Sequence, residues 1–174
     1  MPLSAVAWFR RDLRLHDNPA WAAASAADTT VALLVIEPGL LDRAGPFRRA
    51  AFLSGVATLD PALQAPGGRL RVEAGAPAED VPRVAAEVEA TTVHTNADVT
   101  RWSVRRDRSV ADELAGAGRE LVAHWGTLVH PPGSVLTKAG TLSRVFTPFH
   151  RAWAATPLPP VAEPAAQPVV ADDP

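Results

Sequence analysis

At 174 residues and 47% hydrophobic, the chain is long enough for one domain with a well-formed core and too short for two. A formal net charge of −2 with 21% charged residues offers no surface built to hold a polyanion, so a grip on nucleic acid has to come from another segment. The absence of cysteine excludes a disulfide framework, a thiolate zinc site and a cysteine nucleophile, and fits the cytoplasm; the sequence shows no signal peptide and no membrane span.

Short β-type runs alternate with segments of helical period, the pattern of a parallel sheet covered on both faces. Ala5 to Phe9 is the first predicted strand. After it Asn18 can accept from the free N–H groups of a first helical turn and Pro19 presets φ, which predicts a helix from Pro19 to Ala27. Val31 to Ile36 follows as the second strand, and then Phe52, Val56, Leu59 and Leu63 recur on one helical face. Leu70 to Val72 is the third strand, followed by a helix whose inward face is Val81, Val84, Ala85 and Val88. The fourth strand is Thr92 to Thr95, and the helix after it spans Arg101 to Ala117, ended by Gly116 and Gly118. Leu121 to Trp125 is the fifth strand, and a last helix includes Pro148 to Ala155. From Thr156 the composition turns to Pro, Ala and Val, which reads as an extended linker. The expected fold is α/β, a doubly wound five-stranded parallel sheet of Rossmann-like or flavodoxin-like order, occupying residues 1–155 and followed by a linker over 156–174.

The densest charged cluster, Arg10, Arg11, Asp12, Arg14, His16 and Asp17, stands directly after the first strand, where an open parallel sheet places its ligand crevice. These charges either face a ligand or pair with each other and pin the loop. Neither a dinucleotide fingerprint nor a Walker-type loop occupies that position, which argues against ordinary NAD or ATP binding. His16, His94, His124, His130 and His150 lack a metal-ligand spacing, and His94 and His124 read as strand residues. Arg101, Arg105 and Arg108 share one face of their helix, either a docking surface or a solvated face balanced by Asp107, Asp112 and Glu113. Trp102, Trp125 and Trp153 read as core or rim packing before any stacking role. No nucleophile, base and acid arrangement is marked by spacing, so no catalytic residue is assigned.

The stretch Trp8 to Pro19, Trp-Phe-Arg-Arg-Asp-Leu-Arg-Leu-His-Asp-Asn-Pro, resembles the opening motif of the DNA photolyase and cryptochrome family almost position for position. Val145 to Trp153, Val-Phe-Thr-Pro-Phe-His-Arg-Ala-Trp, is similar to the stretch where that family leaves its first domain, and His130-Pro131-Pro132-Gly133 to the loop before it.

The resemblance implies a domain that cradles a light-harvesting antenna chromophore. FAD and damaged DNA would then be held by a following C-terminal helical domain that is not in this sequence, and that domain would be this chain's own partner. The parent protein would be a deoxyribodipyrimidine photo-lyase, a carbon-carbon lyase; alternatives are a cryptochrome photoreceptor or a stand-alone small-ligand module. Arg48 and Asp98 match positions that contact deazaflavin in family members of that type, and Leu34 to Pro38 resembles their second-strand exit, so the implied chromophore residues are Arg10, Glu37, Arg48 and Asp98. The resemblance favours 8-hydroxy-5-deazaflavin. Trp102 and Ser103 stand where folate-type members carry an Asn-Glu pair, which counts against methenyltetrahydrofolate; an empty pocket is the further alternative. Thr100 and Arg101 depart from the acidic residue and proline often found beside the deazaflavin-type Asp.

Overall fold

The structure, a computed structural model, describes residues 3–64 and 67–165. Five strands form one parallel sheet: β1 (Ser4–Phe9), β2 (Thr29–Ile36), β3 (Leu70–Ala74), β4 (Thr92–Asn96) and β5 (Glu120–His124). Their order across the sheet is β3-β2-β1-β4-β5, which is the Rossmann order; the flavodoxin-like alternative, with β3 between β1 and β4, is corrected. The helices are α1 (Pro19–Ala24), α2 (Pro38–Asp42), α3 (Pro46–Gln64), α4 (Pro77–Glu87), α5 (Arg101–Gly116) and α6 (Phe146–Ala155).

Because side chains alternate along a strand, β1 feeds two cores at once. Val6 and Trp8 point to one face, where Val31, Leu33, Val35 and Val93 meet Val81, Val84 and Ala85 of α4 and Val110 and Leu114 of α5. Ala5, Ala7 and Phe9 point to the other, against Trp21 and Ala24 of α1 and Leu59 and Leu63 of α3. The small alanines on that face let α1 lie close to the sheet, and Phe9 and Trp21 fill the remaining space with ring centroids 5.9 Å apart.

The local signals explain most element ends. Asn18 accepts from the Trp21 N–H at 3.1 Å and Pro19 opens α1, as expected. The helix stops at Ala24 rather than Ala27, because β2 already begins at Thr29 and the Thr30 hydroxyl takes up the Ala24 carbonyl at 2.8 Å. Helix α2 was not anticipated: it buries none of its residues, so no apolar stripe announces it. Gly118, at φ +70°, ends α5; Gly116 is still helical, and Trp125 lies beyond β5. Beyond α6, residues 157–165 run extended past α1, where the Ala162 N–H donates to Asp17 at 3.1 Å and the Ala165 N–H to Ser25 at 3.0 Å. The rest of the expected linker, 166–174, lies outside the described residues.

The connections through α1 and α3 carry the chain outward from β1 to β3 on one face, and those through α4 and α5 carry it back past β1 to β5 on the other. The reversal falls between β1 and β4, so the loops after Phe9 and Asn96 border the crevice.

Candidate functional site

Three groups of polar side chains gather at that crevice. The first is internal to the loop after β1. Asn96, fully buried at the end of β4, donates from Nδ2 to the Asp12 carboxylate and to Asn18 Oδ1, and its Oδ1 accepts from the Ala20 N–H. Asn18 Nδ2 donates to the Arg14 carbonyl at 2.8 Å, and Arg14 reaches the carbonyls of Asp17 and Gly126. Asp12, Arg14 and Asn18 are therefore spent on holding the loop, the pinning alternative for this part of the charged cluster.

The second group opens α5. Asp98 accepts from the N–H groups of Val99 at 2.6 Å and Thr100 at 3.2 Å, from the Ser103 hydroxyl at 3.1 Å, and pairs with Arg11 at 3.2 Å. Burial pushes its carboxyl up, but the two backbone donors, Arg11 and Ser103 outweigh that and hold it below its ordinary value. Arg48 stands exposed in α3, and its side chain makes no hydrogen bond or ion pair among the described residues. The structure does not join Arg48 to Asp98; the ion-pair partner of Asp98 is Arg11.

The third group spans β1, α5 and β2. Arg10 follows Trp8 on the same side of β1 and donates to both carboxylate oxygens of Asp107, each at 2.7 Å. Asp107 also accepts from Arg106 Nε at 3.0 Å and Nη2 at 2.8 Å, and Arg106 Nη1 lies 3.8 Å from Glu37 at the exit of β2. The Arg106 guanidinium sits over two indoles, 5.1 Å from the Trp8 ring centre and 4.9 Å from that of Trp102, and Arg10 lies 5.3 Å from the Trp8 ring centre. Burial raises the Glu37 carboxyl above its ordinary value despite Arg106 nearby. Burial, with Arg10 beside it, lowers the Arg106 guanidinium. Trp8 Nε1 is buried with no hydrogen-bond partner among the described residues.

Arg10 and Glu37 thus meet in one cluster, whereas Asp98 and Arg48 lie outside its bonds. Trp8, Trp102, Arg106 and Asp107 complete the cluster and were missed as site residues. A signal existed: Asp107 shares the helical face of Ser103, Val110 and Leu114, which are buried, while Arg101, Arg105 and Arg108 are exposed. The arrangement can bind and polarise; it holds no nucleophile and base pair. Among the described residues there is no group of three or more potential metal ligands and no helix long and apolar enough to cross a membrane.

The family model described as DNA photolyase matches residues 5–167. The chain belongs to the DNA photolyase family. It is 40% identical over 156 residues to the deoxyribodipyrimidine photo-lyase of Streptomyces griseus, covering 87% of this chain and 34% of that protein. A 31.6 kDa uncharacterised protein of Synechococcus sp. is 39% identical over 153 residues, covering 86% of this chain and 54% of the relative. Among solved structures, the Synechocystis cryptochrome superposes with a TM-score of 0.86 at 26% identity, over 98% of this chain and 37% of that one. An archaeal photolyase from Sulfolobus tokodaii, solved with two FAD molecules, shares the fold with a TM-score of 0.84 at 24% identity, over 98% of this chain and 39% of that one. The photolyase-family chain described here spans about a third to a half of the curated relatives it matches.

Proposed function

We propose that this chain is the antenna-binding domain of a deoxyribodipyrimidine photo-lyase, with 8-hydroxy-5-deazaflavin in the crevice between β1 and β4. The observation that carries the reading is the position of the family's opening motif: Arg10 leaves β1 at the point where strand order reverses, and is linked through Asp107 and Arg106 to Glu37 at the exit of β2. The residues fit such a group. Trp8 Nε1–H is a buried donor in want of an acceptor, and the raised Glu37 carboxyl keeps hydrogen-bonding capacity beyond its long contact with Arg106. Arg48, without a side-chain partner among the described residues, is free to meet an ionised chromophore oxygen, and Asp98 orders the first turn of α5. The bound chromophore would supply light absorption and pass excitation onward; this chain's part is to orient it and exclude water.

FAD and the damaged DNA belong, in this reading, to a C-terminal helical domain that is the chain's partner, in the cytoplasm. Its docking surface would be the apolar groove of about 460 Å³ between the 127–135 loop and α6, together with exposed Leu142, Val145 and Phe146. Phe47, 91% exposed on α3, would be covered in the same way.

A fluorescence titration of the chain with 8-hydroxy-5-deazariboflavin and with methenyltetrahydrofolate tests the antenna. Binding of the first below about 100 μM, roughly −5.5 kcal/mol, is expected, and binding of the folate alone would replace it as the antenna. Repair of pyrimidine dimers under blue light by a longer protein carrying this domain tests the lyase. Failure of repair with FAD intact would favour the cryptochrome reading, which the likeness to the Synechocystis cryptochrome supports.

A further inference from the structure

The cluster spends two cations in a way that binding alone does not require. Arg106 is largely desolvated, its side chain 12% exposed, and it is held edge-on by Asp107 so that its flat face lies between Trp8 and Trp102. Arg10 places a second cation over Trp8, and both guanidiniums share one carboxylate. Trp102 is 42% exposed in the first turn of α5, at the crevice, and Trp8 lies behind it in the core.

Indoles are electron donors, and an indole beside an excited heteroaromatic ring quenches it. One electron passes from the indole to the excited chromophore and returns in the dark; no bond changes, and the excitation is lost as heat. The forward transfer leaves a positive charge on the indole. A guanidinium about 5 Å away stabilises the neutral ring through its quadrupole and opposes that charge through Coulomb repulsion. The carboxylates paired with these cations are Asp107, shared between the two, and Glu37, which lies 3.8 Å from Arg106 and whose carboxyl is raised above its ordinary value by burial.

We infer that the Trp8, Arg106 and Trp102 stack is an anti-quenching device, in which Arg106 suppresses electron transfer from the two indoles to an excited flavin-like or deazaflavin-like chromophore in the crevice. The inference rests on the antenna reading and adds to it an electrostatic role for Arg106 and a silenced-donor role for Trp8 and Trp102. Arg106 is here a positioning and electrostatic residue.

Time-resolved fluorescence of 8-hydroxy-5-deazariboflavin bound to this chain, and of riboflavin as a stronger photo-oxidant, reads the effect. Arg106→Gln is expected to shorten the bound lifetime by about threefold or more. Arg106→Lys, which keeps the charge, should retain most of the native lifetime, and Trp102→Phe added to Arg106→Gln should restore most of it, since Trp8 lies deeper and keeps Arg10 over its ring. A severalfold longer lifetime in Trp102→Phe alone, or an unchanged lifetime in folded Arg106→Gln, overturns the inference while the antenna reading stands. Absence of any polarisation change with either probe up to about 100 μM removes the antenna reading and the inference with it.

Discussion

Replacing Asn96 by alanine removes a side chain that joins β4 to both the loop after β1 and the start of α1. Three hydrogen bonds go at once: to the Asp12 carboxylate, to Asn18 Oδ1 and from the Ala20 N–H. The two neutral bonds are worth about 1 kcal/mol each, and the bond to the carboxylate about 1.5–3 kcal/mol. All four residues are buried, so the orphaned groups regain little water, and the net cost is expected at about 3.5–5 kcal/mol. For a chain of this length that lowers the melting temperature by roughly 7–20 °C. Urea unfolding monitored by tryptophan fluorescence measures it, with the midpoint shifted and the slope unchanged. Asn96→Asp adds a sharper check. It places a second carboxylate against Asp12, which raises the pKa of the pair in the folded state, so its stability deficit should grow from about pH 4 to pH 7. A loss below about 1 kcal/mol for Asn96→Ala, or a pH-independent deficit for Asn96→Asp, would refute the network as the clamp on this loop.

Three further outcomes follow from the same structure. Gly126→Ala puts a Cβ 2.7 Å from Pro19 Cδ and 2.8 Å from Asn96 Cγ, and is expected to cost about 1–3 kcal/mol, whereas Gly116→Ala meets nothing within 4 Å and should be neutral or slightly stabilising; chemical denaturation separates them. His94 and His124 stand head to head at 3.0 Å, and burial with His124 alongside lowers His94 to about 4 from an ordinary 6.5. The unfolded chain therefore takes up the proton first. Stability is full above about pH 6.5 and falls toward pH 4, by about 1–2 kcal/mol after allowance for partial exposure, and His94→Phe should flatten that slope in a pH series of denaturation curves. Asp98→Ala should cost about 1–2 kcal/mol through the lost turn and helix-start bonds, while Arg48→Ala should stay within about 0.5 kcal/mol; thermal melts distinguish a structural from a ligand-facing role.

What could be read from sequence was whatever local chemistry fixes. The five strands came from apolar runs of strand length, and α1, α4 and α5 from their caps and inward stripes, because burying those faces is the dominant local demand. The family, too, was legible, since Trp8 to Pro19 is a contiguous motif. Helix α2 was not, because it buries nothing, and the end of α1 was misplaced because a contact from Thr30, outside the helix, decides it.

The site itself needed the fold. Arg10 and Asp107 are far apart in sequence, and only the packing of α5 on the sheet face that carries Trp8 brings them together, with Arg10 Nη1 donating to both carboxylate oxygens. The same packing chose Arg106, rather than its exposed neighbours Arg105 and Arg108, to lie between Trp8 and Trp102. Sequence also left open whether the charges after β1 face a ligand or each other. Tertiary structure divided them, turning Asp12 inward to Asn96 and Arg10 toward α5, because each buried charge must find its partner among whatever side chains the sheet order brings within reach.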